Sequence, residues 1–414
     1  MMAILSPDTT DALDVSTHPH GGVRYHEAKI GGIIMRSMQN WTSFNSGKLF
    51  SHISRWENIQ LLCPPPVLFT VDPANICNLN CKWCNAKVIC SNKKMLSKKT
   101  MLQFADFIYK WEVEGFKVNA VCIAGGGEPL LNPYVGDFMR ELNNLKIDVA
   151  TVTNGTMIDR FIDDLLVNQY VAVSVDAATS KTFNECKNLE PNSNEFDKII
   201  NNIETLVTKS HAVKCNLGDD SPSNGVNYRM LITPENVSEI VEAARIAQDI
   251  GCKSLHVRPA ATPFDGTSTI VFSEDDIEIF KDQIRIVNEN KLPSFGFYYT
   301  LNKFNDNLEK ENDFSSCHAI FMTATLMPSQ SDDQDAYCMN VCCDRRSDSK
   351  FCLISNSTDI NEIARIWGSD SHWNIYKFVD KNQIEKVCPR CTYYEHNMIY
   401  EKCIERDDML IDFI

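Results

Sequence analysis

The chain reads Asn75-Ile76-Cys77-Asn78-Leu79-Asn80-Cys81-Lys82-Trp83-Cys84 directly after the apolar run at residues 67–71. Its three cysteines are spaced C-x3-C-x2-C, and thiolates at such close spacing hold an iron–sulfur cluster or a zinc ion. A closed structural site needs four ligands, whereas this loop supplies three. Three thiolates on a 4Fe–4S cluster leave one iron without a protein ligand. The pattern therefore favours a catalytic site, in which a substrate binds the open iron.

The segment CNLNCKWC resembles the cluster-binding loop of the radical S-adenosylmethionine (SAM) superfamily, in which an aromatic residue, here Trp83, commonly precedes the third cysteine. The resemblance implies that Cys77, Cys81 and Cys84 hold a 4Fe–4S cluster and that SAM chelates its open iron. It also implies that SAM is cleaved to methionine and a 5′-deoxyadenosyl radical, with Trp83 lining the adenosyl pocket. Cys90 leaves an alternative, because it could close an all-cysteine cluster or a zinc site.

The length and composition are those of a folded protein with two domains. The chain has 414 residues, of which 43% are hydrophobic, and 17 cysteines. No apolar run approaches the roughly 20 residues that span a bilayer, and the first residues lack the basic head and apolar stretch of a signal peptide. We therefore expect a cytoplasmic protein with no membrane partner. Its cysteines should serve metal or redox chemistry rather than disulfides.

The charge balance of the chain indicates which class of binding partner to expect. The formal net charge is −15, with 55 acidic and 40 basic residues. Such a balance disfavours a protein that works mainly through contacts with phosphate backbones, so nucleic acid is not the expected partner. A small neutral or cationic substrate, or a peptide, fits better.

Short β-rich runs alternate with amphipathic helical segments through the middle of the chain. The predicted strands cover residues 67–71, 120–124, 148–153, 171–175, 228–233 and 254–257, and the helices between them cover 100–114, 134–145, 159–168, 195–208 and 236–250. A further helix at 273–290, with Ser273 as its N-cap, precedes a closing strand at 295–299. Six successive strand–helix units predict an α/β fold with a parallel sheet. This matches the partial (β/α)6 TIM-type barrel that the resemblance implies.

Three regions are predicted along the chain. Pro64-Pro65-Pro66 stops any helix and marks the end of a lead-in at residues 1–64. The radical SAM barrel should cover residues 65–300. A small cysteine-rich α+β domain, which would hold an auxiliary cluster, should cover residues 301–414, because eight of the 17 cysteines lie in the last 98 residues.

A glycine-rich turn, Gly125-Gly126-Gly127-Glu128-Pro129, follows the second predicted strand. It does not suit a phosphate, because Glu128 would lie where the phosphate should bind and Pro129 lacks a backbone donor. A carboxylate with bare backbone suits a free ammonium group instead. The stretch Gly126-Gly127-Glu128 resembles the glycine-glycine-glutamate motif of the superfamily, which binds the amino group of SAM.

Other candidate contacts follow later strands. The resemblance implies that Ser174 lies near the SAM ribose or carboxylate. It also places Lys187 where related members carry an arginine. Because lysine offers a point charge, it cannot bind a carboxylate through two parallel hydrogen bonds as arginine does. Asp176 shares a strand face with Ser174 and is either a substrate-facing acid or a structural cap. Arg258, at the end of the sixth strand, is a candidate for binding an anionic group of SAM or substrate. No catalytic acid or base is assigned.

The tail contains a C-x2-C pair, Cys388-Pro389-Arg390-Cys391, with single cysteines upstream. It resembles the Twitch/SPASM auxiliary-cluster domain that follows many radical SAM barrels, and the few cysteines after Cys391 favour the shorter Twitch type. The resemblance implies a second 4Fe–4S cluster on Cys317, Cys342 (or Cys343), Cys388 and Cys391. A structural zinc site with the same ligands is the alternative.

These features predict a radical SAM enzyme that abstracts hydrogen from a sugar-like small molecule or a peptide. The net reaction would be an oxidation or rearrangement, with a one-electron donor such as flavodoxin or ferredoxin as partner. One alternative is an enzyme that modifies a nucleoside or tRNA on the same scaffold. The other is a non-catalytic iron–sulfur or zinc protein in which Cys90 closes the first site.

Overall fold

A computed structural model describes residues 52, 54–55, 58–90, 93–216, 225–260, 270–300, 304, 314–346, 348–381, 384–388 and 391–404. Most of the predicted lead-in at 1–64, and most of the polar stretches at 218–225 and 302–312, lie outside these residues.

Twelve strands are found in the described part of the chain. They are β1 Leu68–Val71, β2 Glu112–Val113, β3 Phe116–Lys117, β4 Ala120–Ile123, β5 Asp148–Thr153, β6 Tyr170–Ser174, β7 Val226–Ile232, β8 Ser254–Pro259, β9 Gly296–Tyr299, β10 Thr323–Pro328, β11 Tyr337–Asn340 and β12 Cys352–Ser357. Ten of them form one sheet in the order β12-β11-β10-β1-β4-β5-β6-β7-β8-β9, and β2 and β3 form a separate hairpin.

Helices alternate with the strands of this sheet. They are α1 Ile59–Leu62, α2 Lys87–Cys90, α3 Lys98–Lys110, α4 Val135–Asn144, α5 Ile162–Leu165, α6 Ser180–Lys187, α7 Glu195–Asn216, α8 Ile240–Asp249, α9 Glu274–Asn290, α10 Glu362–Ile366, α11 Asp370–Lys381, α12 Ile384–Val387 and α13 Tyr394–Ile404. None of the helices described is long and apolar enough to cross a bilayer.

The predicted parallel barrel is confirmed. The six strands β1 and β4 to β8 are parallel neighbours, and β9 continues the sheet in parallel beyond β8. Ser273 caps α9 as predicted, since its hydroxyl accepts from Asp276 N. The helix predicted at 100–114 ends instead at Lys110, because the next residues turn into the β2–β3 hairpin through Gly115, with φ 82°. The helix predicted at 159–168 is reduced to a 3-10 turn and α5, and α6 was not predicted.

Strand residues alternate between the helical layer and the barrel interior. In β7, Tyr228, Met230 and Ile232 are at most 1% exposed and belong to the main hydrophobic core under the helices. The residues between them, Arg229 and Leu231, face an interior cavity. This period of two decides which side chains can meet a ligand inside the barrel.

The tail extends the barrel sheet. Strand β10 pairs in parallel with β1, from Leu68 opposite Thr323 to Val71 opposite Leu326, and β11 and β12 follow antiparallel. An incomplete barrel leaves the free edge of β1 unpaired, and exposed strand edges are normally paired or covered. The tail strands supply that pairing. They also bring the tail cysteines next to the barrel.

Candidate active site

The cysteine loop lies over the carboxyl end of β1 and is fixed by main-chain hydrogen bonds. Asn75 N donates to Lys94 O at 2.8 Å, and Glu128 N donates to Ile76 O at 2.8 Å. On the other side of the loop, Lys82 N donates to Cys186 O at 3.0 Å. The loop therefore lies at the end of the strands where parallel barrels carry their chemistry.

The three thiols of this loop form one electrostatic group. Burial raises the pKa of Cys77 to about 11, and the nearby Glu128, Cys81 and Cys84 raise it too. Leu79 N lies 3.5 Å from Cys77 Sγ, and Ala86 N lies 3.4 Å from Cys84 Sγ. Main-chain N–H groups aimed at sulfur stabilise metal-bound thiolates.

This donor set suits an iron–sulfur cluster. Within the described residues, no three His, Cys, Asp or Glu side chains are gathered into a site for a single metal ion. The loop offers three thiols, and main-chain N–H groups point at two of the sulfurs. Thiolates with such N–H donors are the ligands that 4Fe–4S clusters use.

Cys90 lies beside the same group. Its thiol donates to Gly126 O at 2.7 Å. Burial raises the pKa of Cys90 to about 12, and the Cys84 and Cys77 thiols add to the effect. A fourth thiol is therefore near the loop, and the alternative in which Cys90 closes the first site stays open.

The glycine loop packs too closely on the cysteine loop to carry side chains. A Cβ atom on Gly127 would lie 2.2 Å from Ile76 O, and one on Gly126 would lie 2.6 Å from Ile89 Cγ2. Next to Gly126, Asn75 is 1% exposed, and neither polar atom of its side chain has a hydrogen-bond partner among the described residues. An unsatisfied buried amide costs about 1–3 kcal/mol. A polar ligand bound beside Gly126 would remove that cost.

The Glu128 carboxylate is turned into the protein. Its Oε1 accepts from Leu130 N at 3.0 Å and Thr153 Oγ1 at 2.7 Å, and its Oε2 accepts from Asn154 N at 2.7 Å. Burial raises the pKa of Glu128 to about 7, against the lowering effect of these three donors. The side chain thus ties together the turns that follow β4 and β5.

Lys187 and Asp176 form a buried ion pair, with side chains that are 2% and 4% exposed. Lys187 Nζ also donates to Ser174 O at 3.3 Å. Asp176 has a left-handed backbone, φ 64°, and its Oδ1 accepts from Leu231 N at 2.7 Å. The pair lies close to Cys81: burial raises the pKa of that thiol, and Lys187 lowers it.

A cavity of about 730 Å³ runs along the inner face of the barrel. It is lined by a register row across β6 to β9, made of Ser174, Arg229, His256 and Tyr298. Arg258 also lines the cavity, one pleat beyond His256 toward the carboxyl end of β8. On the tail side the lining consists of residues 391–396 and Tyr400, with Met322 and Thr323 near the start of β10.

Four tail cysteines share one neighbourhood. Burial raises the pKa of Cys391, and Cys317 and Cys388 raise it further. Burial likewise raises the pKa of Cys342, with contributions from Cys317 and Cys391. Asn397 is fully buried, and its Nδ2 lies 3.8 Å from both Cys317 Sγ and Cys391 Sγ.

Cys343 has a different environment from Cys342. Its Sγ lies 3.4 Å from Tyr393 Oη, and neither Cys317 nor Cys391 is among the groups that shift its pKa, which burial raises. The electrostatic neighbours of the two thiols therefore favour Cys342 over Cys343 as the fourth member of the tail group.

Comparison with known proteins identifies the barrel. Residues 71–260 match the family model of the radical SAM superfamily. Residues 71–260 therefore form a radical SAM domain. The family implies an enzyme with a 4Fe–4S cluster and SAM as its cofactors.

Two curated relatives align with part of this radical SAM chain. A SAM-dependent nucleotide dehydratase of Flammeovirga pacifica is 30% identical over 149 residues, which cover 34% of this chain and 49% of the relative. The chain therefore spans about half the length of that relative. A probable GTP 3′,8-cyclase of Saccharolobus islandicus is 23% identical over 234 residues, which cover 55% of this chain and 68% of the cyclase.

Solved structures share the fold. SuiB of Streptococcus suis bound to SAM superposes with a TM-score of 0.57 at 14% identity, over 84% of this chain and 76% of SuiB. The enzyme anSMEcpe with bound SAM and a peptide gives a TM-score of 0.53 at 15% identity, over 81% of this chain and 88% of anSMEcpe. At these identities the likeness is one of fold.

Two residues predicted to contact SAM have partners inside the protein. The Glu128 carboxylate accepts hydrogen bonds from three internal donors. The charge of Lys187 is matched by the buried Asp176. The contacts of Glu128 and Lys187 with SAM stay predictions.

The other predicted SAM contacts differ in their surroundings. Trp83 is 5% exposed and packs with Cys186, Ala260 and Leu231 at the carboxyl ends of β7 and β8. Ser174 and Arg258 line the cavity. Their contact with SAM stays a prediction.

Sequence reasoning missed Arg229, Asn397 and the ion pair between Arg346 and Asp72. Arg229 had a signal, because a charged residue in the middle of a largely apolar strand is rarely buried without a partner. Asn397 had none, since a lone asparagine in a helix is common. Arg346 Nε lies 2.6 Å from the fully buried Asp72 Oδ2, and this pair links the tail to the residue after β1.

Proposed function

We propose that this radical SAM enzyme abstracts hydrogen from a small molecule held in the barrel cavity, and that a second cluster in the tail allows a net oxidation. Cys77, Cys81 and Cys84 would hold a 4Fe–4S cluster, which would supply the electron for the cleavage of SAM to methionine and the 5′-deoxyadenosyl radical. The tail group of Cys317, Cys342, Cys388 and Cys391 would hold the second cluster.

The observation that carries this proposal is the continuity of the cavity. Its wall includes Ser174, whose carbonyl accepts from the lysine beside Cys81. It also includes Leu231, which packs against the hydrophobic cluster that contains Trp83 of the cysteine loop. Its tail wall includes Cys391. A substrate in this space would lie between the two cysteine groups. A radical formed on it could then lose an electron toward the tail.

The glycine loop and the tail residues would position the cofactor and shield the substrate. The glycine loop, locked onto Ile76, holds the cysteine loop in place and leaves the Asn75 amide for a polar group of the bound cofactor. The tail residues 391–396 line one side of the cavity and would cover a bound substrate there. Closure excludes water, which protects a reactive intermediate from side reactions.

The volume of the cavity favours a small molecule. Ligand pockets of about 300–1,000 Å³ hold molecules of drug size, and the cavity has about 730 Å³. A peptide is the second candidate, because structures of the same fold were solved with a precursor peptide, in SuiB, and with a peptide, in anSMEcpe. A peptide would have to insert a single side chain into the same cavity.

The test is an anaerobic turnover assay. The reconstituted protein, with SAM and dithionite or a reduced flavodoxin, should release 5′-deoxyadenosine. Cys81→Ala should abolish release, whereas Cys252→Ala, at a buried cysteine outside both groups, should retain it. No 5′-deoxyadenosine from the wild type would refute the proposal.

Cys90→Ala separates the open site from the closed one. In the open site its loss should leave the first cluster and SAM cleavage intact. In a closed all-cysteine or zinc site its loss should remove the metal. Iron and zinc analysis of the variant distinguishes the two outcomes.

A further inference from the structure

Arg229 places a cation inside the barrel. It lies in the middle of β7 and is partly buried, and its guanidinium group forms no ion pair or hydrogen bond with any of the described residues. Burying an unpaired charge is unfavourable, so buried guanidinium groups normally have an anionic partner. The Arg229 side chain instead lines the cavity.

Two described side chains that interact with Arg229 carry no negative charge. They are the Cys122 thiol and the Tyr170 phenol. Burial raises the pKa of Cys122 to about 11 and that of Tyr170 to about 12, so both are neutral at pH 7 even with the arginine nearby. Glu395 is the single carboxylate among the described lining residues, and Arg258 adds a second cation.

Hydrogen-bonding groups flank this charge. His256 follows Arg229 in the register row and Tyr298 follows His256, with their two rings 5.0 Å apart. Tyr170 Oη lies 3.2 Å from His256 Nδ1. Arginine forks recognise the two oxygens of a carboxylate or phosphate, and neighbouring hydroxyl and imidazole groups complete such a site.

We infer that this row is a subsite for an oxyanion of the substrate, a phosphate or a carboxylate, with Arg229 as the principal contact. The inference rests on the proposed function, because it names the substrate class of the same cavity. It also replaces the neutral or cationic substrate expected from the net charge of −15. The described lining of the cavity carries two arginines and one glutamate, although the whole chain is acidic.

The test compares matched probes by anaerobic equilibrium dialysis of the reconstituted full-length protein. GTP is paired with guanosine, and glucose 6-phosphate with glucose; citrate tests the carboxylate source. At least one oxyanion probe should bind, about 10- to 100-fold more tightly than its neutral partner where it has one, as expected for charged hydrogen bonds. Arg229→Gln should remove that difference, and Arg229→Lys should retain part of it. Citrate binding without phosphate binding would support the subsite and assign it to a carboxylate.

Arg245→Gln is the control, since Arg245 is 61% exposed and pairs with Glu242 and Asp249 on the surface of α8. It should bind every probe as the wild type does. Equal binding of charged and neutral probes, or an unchanged Arg229→Gln protein, would overturn the inference. So would loss of SAM binding in Arg229→Gln, since the arginine would then serve the cofactor.

Salt dependence and 5′-deoxyadenosine release are measured alongside probe binding. If Arg229→Gln loses iron on reconstitution, Arg229→Lys and the salt dependence of the wild type decide: raising NaCl should weaken oxyanion probes only. Failure of the proposed function would appear separately, as a wild type that binds probes but releases no 5′-deoxyadenosine.

Discussion

Lys187 illustrates how a single position can depart from the pattern of its family. The comparable arginine of related enzymes is expected to meet a carboxylate of SAM, but this lysine is matched internally by Asp176 and the Ser174 carbonyl. A buried pair contributes little net stability, yet removing one partner leaves the other charge buried and unpaired.

We therefore predict that Lys187→Met lowers the free energy of unfolding by about 3–5 kcal/mol, measured by urea unfolding of the holoenzyme. Lys209→Met is the control, because Lys209 is 50% exposed and lies 3.9 Å from an exposed Asp163. It should change stability by at most about 0.5 kcal/mol. The double variant Lys187→Met/Asp176→Asn should recover part of the loss. A single variant as stable as the control would contradict this role.

Gly127 sets the fit between the two loops of the site. Its Cβ would lie 2.2 Å from Ile76 O, so alanine must displace the backbone beside Cys77. Gly127→Ala should lose the iron of the first site and SAM cleavage together. Gly115→Ala is the matched control: no atom lies within 4 Å of its Cβ, and its positive φ should cost about 1 kcal/mol without affecting iron. Normal iron content in Gly127→Ala would be inconsistent with the close packing.

At the level of elements, α11 is attached to the barrel edge by His372. Its ring is fully buried, its Nδ1 accepts from Gly368 N at 3.1 Å, and its Nε2 lies 3.0 Å from Ile320 O. Burial lowers the pKa of His372 to about 4, although the Ile320 carbonyl opposes the effect.

This pKa gives stability a defined dependence on pH. Between about pH 6.5 and 4 the unfolded state binds the proton and the folded state does not, so the free energy of unfolding falls as pH falls. The shift is worth about 3 kcal/mol. The fall should be smaller in His372→Gln and unchanged in His211→Gln, as measured by urea midpoints across this range. Parallel pH profiles for the wild type and His372→Gln would exclude the effect.

The turn after β11 offers two adjacent cysteines with different surroundings. Cys342 belongs to the tail group, whereas Cys343 contacts Tyr393. Cys342→Ser should reduce the iron content of the reconstituted protein from about eight to about four per chain. Cys343→Ser should leave it near eight. The reverse result would reassign the ligand.

For the whole molecule, the barrel could be predicted because its information is local. Each β-rich run carries its own period, as in 148–153, which forms β5 with the bounds predicted. The pairing of β10 with β1 could not be predicted, since the partners lie about 250 residues apart and neither sequence specifies the other. The cysteine loop could be predicted for the same reason, because its three cysteines lie within one short stretch of sequence.

The substrate cavity was harder to predict than the metal loops. Its row of Ser174, Arg229, His256 and Tyr298 comes from four strands, and only their register brings the residues together. Net charge is a weak guide to the substrate, because a sum over 414 residues says little about the field inside one cavity. The internal partners of Glu128 and Lys187 could not be predicted either, because they lie in or just after other strands.

The central claim is that Cys77, Cys81 and Cys84 leave one iron open to SAM. Electron–nuclear double resonance on the dithionite-reduced protein, with SAM carrying a ¹⁵N-labelled amino group, tests it directly. We predict a ¹⁵N coupling to the reduced cluster, present in the wild type and in Cys90→Ala. Absence of that coupling in a reduced wild-type protein that binds SAM would contradict the account.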